Sequence, residues 1–216
     1  MNPDRRHLTR MPGSRRKVVA RLAQLLLDAT DKLLDKDKDL QLFLPRADSI
    51  DSDLLENLVN QAGWRVKERL KIAPAKSHQA LAAADLAIVA SGTSSVEATF
   101  LGVPQVVVYQ VSGLSWFLGR RLISIPYASI ANLVAGREVV PELLQERANV
   151  EELVKTAWPI LAGGVVRAKM IDDLARVRHE LGQPGASGRV VEIITEELAA
   201  RRPTETAAWT PSGSGQ

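Results

Sequence analysis

Hydrophobic residues recur along the chain in two alternating patterns. Between residues 18 and 34 they are spaced three or four positions apart, which is the period of an amphipathic helix. The stretch "LAIVA" (Leu86–Ala90) is instead apolar without interruption, as is typical of a central strand in a parallel sheet. The same two patterns predict strands at 39–45, 86–90 and 104–110, and helices at 18–34, 49–61, 75–85, 96–101, 150–161, 165–181 and 187–200.

Strands that alternate with helices indicate βαβ units and a parallel sheet. We therefore predict an α/β fold with a Rossmann-like parallel sheet of three or four strands, followed by a helical C-terminal third. Residues 1–11 are expected to be an irregular basic segment, and residues 12–200 to form one Rossmann-like domain. Residues 201–216 have the composition of a disordered tail.

The segment "ASGTSSVE" (residues 90–97) places hydroxyl side chains and a glycine between a predicted strand and a predicted helix. Gly92 allows a ligand to approach the backbone closely, and Ser91 and Thr93 supply hydroxyl groups beside a helix N-terminus, where phosphates bind. Glu97 is an acceptor suited to a sugar diol. In the alternative interpretation the segment is a helix cap, in which Thr93 or Ser94 caps the helix and Glu97 completes a capping box.

The segment "PGSRRK" (residues 12–17) has a similar arrangement, because Gly13 and Ser14 precede a predicted helix and Arg15 is able to bind a diphosphate with two hydrogen bonds. Both segments lie at strand-to-helix transitions, where ligands bind in open α/β sheets. A third segment, residues 125–146, is dense in polar residues without a regular period. It is either a functional loop or a surface loop before a helix.

The composition narrows the choice of function. The chain has 216 residues, of which 45% are apolar and 25% charged, and no apolar run reaches the ~18–20 residues that a membrane span needs. It has no cysteine, which excludes disulfides and thiolate chemistry and fits a cytoplasmic enzyme. Its three histidines are far apart in sequence, so we expect no metal site.

Basic residues are concentrated near the N-terminus, although the net charge is only +3. Such a cluster attracts phosphates of a nucleotide, a nucleic acid or an anionic membrane, or it is simply a solvated tail. Nucleic-acid binding is the least favoured of these, because no aromatic residues are interleaved with the basic ones. Leu114, Trp116 and Phe117 are either core residues or an apolar patch that faces a membrane.

Four motifs together carry a resemblance to a known family. The segments "MPGSRR", "LAAADLAIVASGTSSVEATFLGVPQVVVYQVS", "RRLISIPYASIANLVAGREVVPELLQE" and "LGQPGASGRVVEII" resemble, in this order, the C-terminal half of bacterial lipid-A-disaccharide synthase. The resemblance extends from about residue 11 to about residue 198, and "NLVAGREVVPELLQE" is its most specific part. It implies the donor-binding half of a GT-B glycosyltransferase, so residues 12–200 would be a nucleotide-sugar-binding domain.

The resemblance also implies a reaction, partners and a location. The reaction is a metal-independent, inverting hexosyl transfer from UDP-2,3-diacylglucosamine to 2,3-diacylglucosamine 1-phosphate in lipid A biosynthesis. Its partners are these two lipid substrates, together with an N-terminal half or a second copy of the chain, and it involves no nucleic acid and no cofactor. It would take place in the cytoplasm, peripherally on the inner face of the inner membrane.

By the same resemblance, ten residues of this chain would bind the donor, and none would be catalytic. Ser14 and Arg15 would face the diphosphate, and Glu97 would hold the ribose. The nucleotide loop would comprise Ser91, Gly92 and Thr93. The donor sugar or diphosphate would contact Asn132, Gly136, Arg137 and Glu138.

The sequence departs from the family pattern in several places. Val18 occupies a position that is usually acidic, Ala131 replaces a usual proline, and "RRHLTR" is a poor strand where an apolar one is expected. The N-terminal domain, which supplies the acceptor site and the general base in the family, has no counterpart here. We therefore expect an inactive chain on its own. The alternatives are a non-catalytic nucleotide-sugar-binding remnant and the donor domain of another UDP-N-acetylglucosamine enzyme.

Overall fold

Six strands form one parallel sheet in the computed structural model, which describes residues 4–74, 76–111, 126–182 and 185–200. The sheet order is β3-β2-β1-β4-β5-β6, so the chain starts in the middle, proceeds to one edge and then returns to build the other side. This reversal between β1 and β4 is the Rossmann arrangement. The strands are β1 (His7–Met11), β2 (Gln41–Arg46), β3 (Leu70–Pro74), β4 (Leu86–Ala90), β5 (Gln105–Tyr109) and β6 (Glu142–Leu144).

Helices connect these strands and cover both faces of the sheet. Helix α1 contacts α2, α3 and α7, whereas α5 contacts α4, α6 and α8, as expected for right-handed crossovers on the two sides of the reversal. The helices of the described residues are α1 (Arg16–Lys36), α2 (Ser52–Asn60), α3 (Trp64–Arg69), α4 (Ser77–Ala82), α5 (Thr93–Leu101), α6 (Ile130–Ala135), α7 (Val150–Ala162), α8 (Val165–Glu180) and α9 (Ala186–Ala200), with one 3-10 turn at Gln145–Arg147.

The core lies between the sheet and these helices. Leu8, Ile88 and Val107 of three neighbouring strands are fully buried, because a parallel sheet with helices on both faces leaves no strand surface to water. Leu22 and Leu33 of α1 belong to the same core and come from the helical spacing seen in the sequence. The apolar periodicity therefore predicted this layer correctly.

The chain divides into two compact units, Met1–Leu181 and Gly182–Gln216, whereas the sequence suggested one domain over residues 12–200. Helix α9 belongs to the second unit and exposes more than half of each of Val190, Val191, Ile194 and Leu198. The predicted tail at 201–216 and the apolar residues 114–117 lie outside the described residues.

Strand β1 corrects the prediction that residues 1–11 are irregular. His7–Met11 form a fully buried central strand, although three of the five residues are polar. Thr9 donates from Oγ1 to the carbonyl of Ala80 at 2.7 Å, and the His7 ring forms a hydrogen bond with the side chain of Gln41 at 2.9 Å. Because distant residues satisfy most of these polar groups, the strand is stable without an apolar sequence.

The sequence also missed β3 and β6, so the sheet has more strands than predicted. β3 is an edge strand whose Ile72 side chain is 36% exposed, and β6 has only three residues. Short or partly exposed edge strands produce a weak apolar signal, which explains the difference.

Asp85 fixes the start of β1 against the start of β4. Its carboxylate accepts the backbone N–H of His7 at 2.7 Å and the guanidinium of Arg167, while its own N–H donates to the His7 carbonyl at 2.9 Å. These contacts cross the point at which the strand order reverses. Asp85 therefore sets the alignment of the two central strands.

We expect Asp85→Ala to lower the free energy of unfolding by about 1–3 kcal/mol, because it leaves a buried N–H and a cation without an acceptor. Urea denaturation followed by circular dichroism measures this. Glu68→Ala is the control, since Glu68 is exposed and has no partner in the part of the chain that the structure describes, and it should change stability by less than about 0.5 kcal/mol. Equal effects of the two substitutions would contradict the anchoring role.

Candidate functional site

The carboxyl ends of β1 and β4 lie side by side, because the two strands pair directly from Leu8 opposite Leu86 to Met11 opposite Val89. Ligands of open α/β sheets bind in the crevice where the strand order reverses, which is here. Residues 12–15 connect β1 to α1, and residues 91–92 connect β4 to α5. The fold thus brings together the two loops that the sequence predicted as phosphate sites.

A cleft of about 120 Å³ lies between these two loops. The N-termini of α1 and α5 both open onto it, and neither has a side-chain cap. The first backbone N–H groups of each helix lack intrahelical acceptors and carry the positive end of the helix dipole. The cleft is lined by Gly13, Ser14, Arg15, Val18, Ala90, Ser91, Gly92, Thr93 and Ser94. It is thus suited to an anion.

The capping-box interpretation of "SGTSSVE" is wrong. The N-cap of α5 is Gly92, with φ 135°, and no side chain caps this helix. Ser95 donates from Oγ to the Gly92 carbonyl at 2.8 Å instead. The oxygen Oε2 of Glu97 is buried and has no hydrogen-bond partner among the described residues.

Glu97 lines a second cleft of about 280 Å³, which shares Gly13 and Ser94 with the first. An unpartnered buried carboxylate oxygen is costly unless a donor reaches it. Glu97 is therefore a buried hydrogen-bond acceptor at the edge of this cleft that the described residues leave unsatisfied. The remaining lining residues are Met11, Pro45, Arg46, Ala47, Asp48 and Ser77.

The sequence did not predict that Arg46, Asp48 and Ser77 line the larger cleft. Arg46 ends β2 and Asp48 follows it. Because β2 is the neighbour of β1 on the other side from β4, both residues lie at the same edge of the sheet. Ser77 is the first residue of α4, which follows β3. The rule that loops after parallel strands share one edge is the signal that identifies them.

Val18 occupies the position where the family pattern usually has an acid. It is half-buried and lines the smaller cleft. A Cβ atom added at Gly13, whose φ is +105°, would lie 3.4 Å from Cγ1 of Val18. The loop is therefore packed against an apolar side chain, and no negative charge opposes an anion at this point.

Ser91 connects the nucleotide loop to a hydrogen-bond network on the other side of the cleft. Its Oγ donates to the Ala128 carbonyl at 2.7 Å. The buried carboxylate of Glu142 accepts the backbone N–H groups of Ala128 at 2.7 Å and of Ser129 at 2.9 Å, and also the Ser129 hydroxyl at 2.8 Å. Residues 128–129 are thus held between β4 and β6.

The charged residues that line the two clefts are Arg15, Arg46, Asp48 and Glu97. Arg15 and Lys17 are exposed and form no ion pair with the residues that the structure describes, whereas Arg16 pairs with Asp51 at 2.6 Å. The described ranges contain no group of three or more His, Asp or Glu side chains that is arranged to bind a metal. The smaller cleft thus presents Arg15 and two helix N-termini to a ligand, whereas the larger cleft also contains the carboxylates of Asp48 and Glu97.

The profile of the lipid-A-disaccharide synthetase family, LpxB, matches residues 1–194. The chain belongs to this family. A lipid-A-disaccharide synthase of Solibacter usitatus (strain Ellin6076) is 40% identical over 189 residues, which cover 87% of this chain and 48% of that protein. The chain spans about half the length of the curated relatives it matches. The resemblance predicted from the four motifs is confirmed.

Solved structures agree on the fold. MnaA of S. aureus, solved with UDP, has a TM-score of 0.61 at 15% identity and covers 94% of this chain and 48% of that one. MurG of Acinetobacter baumannii has a TM-score of 0.54 at 18% identity, with 89% and 50% covered. Other solved neighbours of the same fold include glycosyltransferases. The predicted fold, the Rossmann-like half of a GT-B glycosyltransferase, is confirmed.

Asn132, a residue of the most specific family motif, is fully buried beneath the site. Its Oδ1 accepts the N–H groups of Val139 at 2.7 Å and Val140 at 2.9 Å, and its Nδ2 donates to the Val140 carbonyl and to Glu142, each at 2.8 Å. Because every polar atom of the side chain is engaged, the predicted contact with the donor does not fit this geometry. Asn132 instead joins α6 to β6.

Gly136, Arg137 and Glu138 line neither of the two clefts beside the loops after β1 and β4. Gly136, with φ 63°, ends α6. Glu138 lines a separate cleft of about 260 Å³ together with α8 residues. Contact of these three residues with the donor therefore stays a prediction.

Arg137 forms a bidentate ion pair with Asp173 of α8, at 2.6 and 3.2 Å, and Lys169 contacts the same carboxylate at 2.7 Å. These hydrogen bonds lower the pKa of Asp173 to about 2, and the Asp173 hydrogen bond raises the pKa of Arg137. The side chain of Asp173 is only 6% exposed. Arg137 therefore serves to attach the end of α6 to α8.

We expect Asp173→Asn to lower the free energy of unfolding by about 1–2 kcal/mol at neutral pH. This is less than the pKa shift alone implies, because both basic partners are partly exposed and water weakens the ion pairs. The carboxyl has a lower pKa when folded than when unfolded, so its contribution is present above about pH 4 and is lost as the pH falls toward 2. Denaturation curves measured across this pH range should give the wild type and Asp173→Asn the same free energy of unfolding at low pH. Asp172→Asn, at an exposed neighbour, should match the wild type, and a pH-independent difference for Asp173→Asn would refute the assignment.

Proposed function

We propose that this chain is the donor-binding half of a lipid-A-disaccharide synthase. The observation that carries the proposal is the meeting of two uncapped helix N-termini and Arg15 at one cleft, which adjoins a second cleft lined by the unpartnered Glu97. The complete reaction would transfer the sugar of UDP-2,3-diacylglucosamine to 2,3-diacylglucosamine 1-phosphate with inversion. The chain belongs to the lipid-A-disaccharide synthetase family, which supports this reaction for the full-length enzyme.

The diphosphate of the donor would occupy the smaller cleft. Backbone N–H groups of α1 and α5 point toward it, and Arg15 would bind two phosphate oxygens at once. This is enough positive charge to hold a diphosphate, so we propose binding without a divalent cation. Ser14 and Thr93 supply hydroxyl donors at the same place.

The nucleoside would occupy the larger cleft. Glu97 would accept hydrogen bonds from the ribose hydroxyls, which gives its buried oxygen the donors that it lacks. The base would then lie toward Arg46, Asp48 and Ser77. MnaA of S. aureus, which shares the fold, has been solved with UDP.

The main catalytic contribution of this half would be to stabilise the departing UDP. Negative charge develops on the diphosphate as the glycosidic bond breaks, and preorganised donors at that point lower the barrier. Inverting transfer also needs a general base for the attacking hydroxyl. We assign no residue of this chain to that role and expect the base in the other half of the full-length enzyme.

Both substrates carry acyl chains, so we propose that the enzyme works at the inner face of the inner membrane. No helix among the described residues has the length and apolarity to cross a bilayer. The contact would therefore be peripheral.

Arg15→Ala should weaken UDP binding about 10- to 100-fold, because one charged hydrogen-bond interaction contributes roughly 1.5–3 kcal/mol. Uridine, which has no phosphate, should bind both proteins equally. Isothermal titration calorimetry measures both ligands. Arg137→Ala is the matched control, because Arg137 lines neither cleft. A loss of UDP affinity equal to that of Arg15→Ala would overturn the assignment of the diphosphate site.

Glu97→Ala should weaken binding of UDP about 10-fold or more but leave that of 2′,3′-dideoxyuridine diphosphate unchanged, because the second ligand lacks the hydroxyls that Glu97 would hold. Competition calorimetry compares the two ligands in each protein. Glu138→Ala removes a carboxylate that faces a different cleft and should affect neither ligand. Equal losses for UDP and its dideoxy analogue would exclude a ribose contact.

A further inference from the structure

Trp64 is the first residue of α3 and is 67% exposed. Lys67 lies three positions further along this helix and therefore on the same face, whereas Val66 is fully buried in the core. Tryptophan is usually buried for the most part, because its ring carries a large apolar area. Trp64 thus offers an apolar contact point on the surface of the chain.

The cations that follow this tryptophan have no counter-charge. They are exposed and form no ion pair with the residues that the structure describes: Lys67, Arg69, Lys71 and Lys76. Arg65 differs, because its guanidinium contacts Asp35 at 2.5 Å and Asp31 at 3.0 Å. Glu68 is the only acid among residues 64–76. The segment therefore carries an excess of uncompensated positive charge.

Strand β3 brings these side chains to one edge of the sheet. Helix α3 continues directly into it, since Arg69 ends the helix and Leu70 begins the strand. Ile72 is 36% exposed at this edge, and Lys76 precedes Ser77, which lines the larger cleft. The surface thus extends to the rim of the proposed donor site. We name it the edge patch and define it as Trp64, Lys67, Arg69, Lys71, Ile72 and Lys76.

The basic residues near the N-terminus are less available to an external partner than the sequence indicated. Arg5 pairs with Asp39 at 3.4 Å, and Arg6 pairs with Asp37 at 2.8 Å. Arg10 is fully buried. Much of that charge is therefore already used within the chain, whereas the cations of the edge patch are free and lie beside an exposed indole.

We propose that the edge patch binds the surface of an anionic lipid bilayer. This inference rests on the proposed function, because it names the surface through which the peripheral contact with the inner membrane would be made. Anionic headgroups attract lysine and arginine, and tryptophan is enriched at the boundary between headgroups and acyl chains. The apolar stems of the long basic side chains are able to lie against the bilayer while their charged ends stay in water.

A single-stranded nucleic acid fits the edge patch less well. Proteins that bind such strands stack successive bases on several aromatic side chains, in addition to contacting the phosphates. The edge patch contains one aromatic side chain, Trp64, and its second apolar member is the aliphatic Ile72. One indole with an aliphatic neighbour and free cations is the combination that suits a bilayer surface.

The experiment sediments the whole chain with vesicles of phosphatidylcholine alone, or of phosphatidylcholine mixed with phosphatidylglycerol. The wild type should bind only the mixed vesicles, with an affinity that falls as salt is added. Lys67→Glu combined with Lys71→Glu should weaken this binding about 30-fold or more, because each cation near an anionic surface contributes about fivefold. Trp64 emission should shift to the blue on the mixed vesicles, and Trp64→Phe should lose this shift.

Arg147→Glu combined with Arg176→Glu is the matched control. It changes the net charge equally, at exposed positions outside the edge patch, and should bind the mixed vesicles nearly as the wild type does. Equal losses in the two double variants would contradict the proposal, because the attraction would then depend on net charge alone. A blue shift that persists in Trp64→Phe, or tighter binding to a single-stranded oligonucleotide than to the mixed vesicles, would also overturn it.

Calorimetric titration with UDP separates this surface from the donor site. Lys67→Glu with Lys71→Glu should bind UDP with wild-type affinity, since neither lysine lines the two clefts. A wild type that binds UDP but not the mixed vesicles would refute the edge patch and leave the donor site standing. A wild type that binds the mixed vesicles but not UDP would support the edge patch and refute the donor site.

Discussion

The pairing of β1 with β4 is the constraint on which the site depends. Met11 lies opposite Val89, so the chain leaves both strands at the same level and enters two helices whose N-termini face one cleft. Neither helix terminus alone concentrates much positive potential, but two that converge beside Arg15 do. The contacts of Asp85 at the other end of these strands fix the alignment.

The nucleotide loops were predictable from sequence because both are local features. Small polar residues after an apolar run, followed by helical spacing, describe a strand-to-helix turn wherever it occurs. Residues Arg46 and Ser77 reach the same site only through the strand order, which a single sequence does not reveal. Arg137 lines neither cleft, and the six residues of α6 separate it along the chain from Ala128, which Ser91 contacts.

β1 shows a different limit of sequence reasoning. Its polar residues are stabilised by partners 71 and 34 positions away, Ala80 for Thr9 and Gln41 for His7. Hydrophobic periodicity assumes that buried positions are apolar, and it fails wherever tertiary hydrogen bonds replace apolar contacts. Buried polar strands of this kind are therefore recognised from the structure rather than from the periodicity of the sequence.

The network around Glu142 connects the loop after β4 to the least supported part of the sheet. Ser91 follows β4 at the centre of the sheet, but its hydroxyl bonds to Ala128, which Glu142 ties to a strand of three residues at the sheet edge. Edge elements open locally at lower free-energy cost than central ones. Local opening of β6 would therefore release the hydroxyl of Ser91 and leave the pairing of β1 with β4 intact.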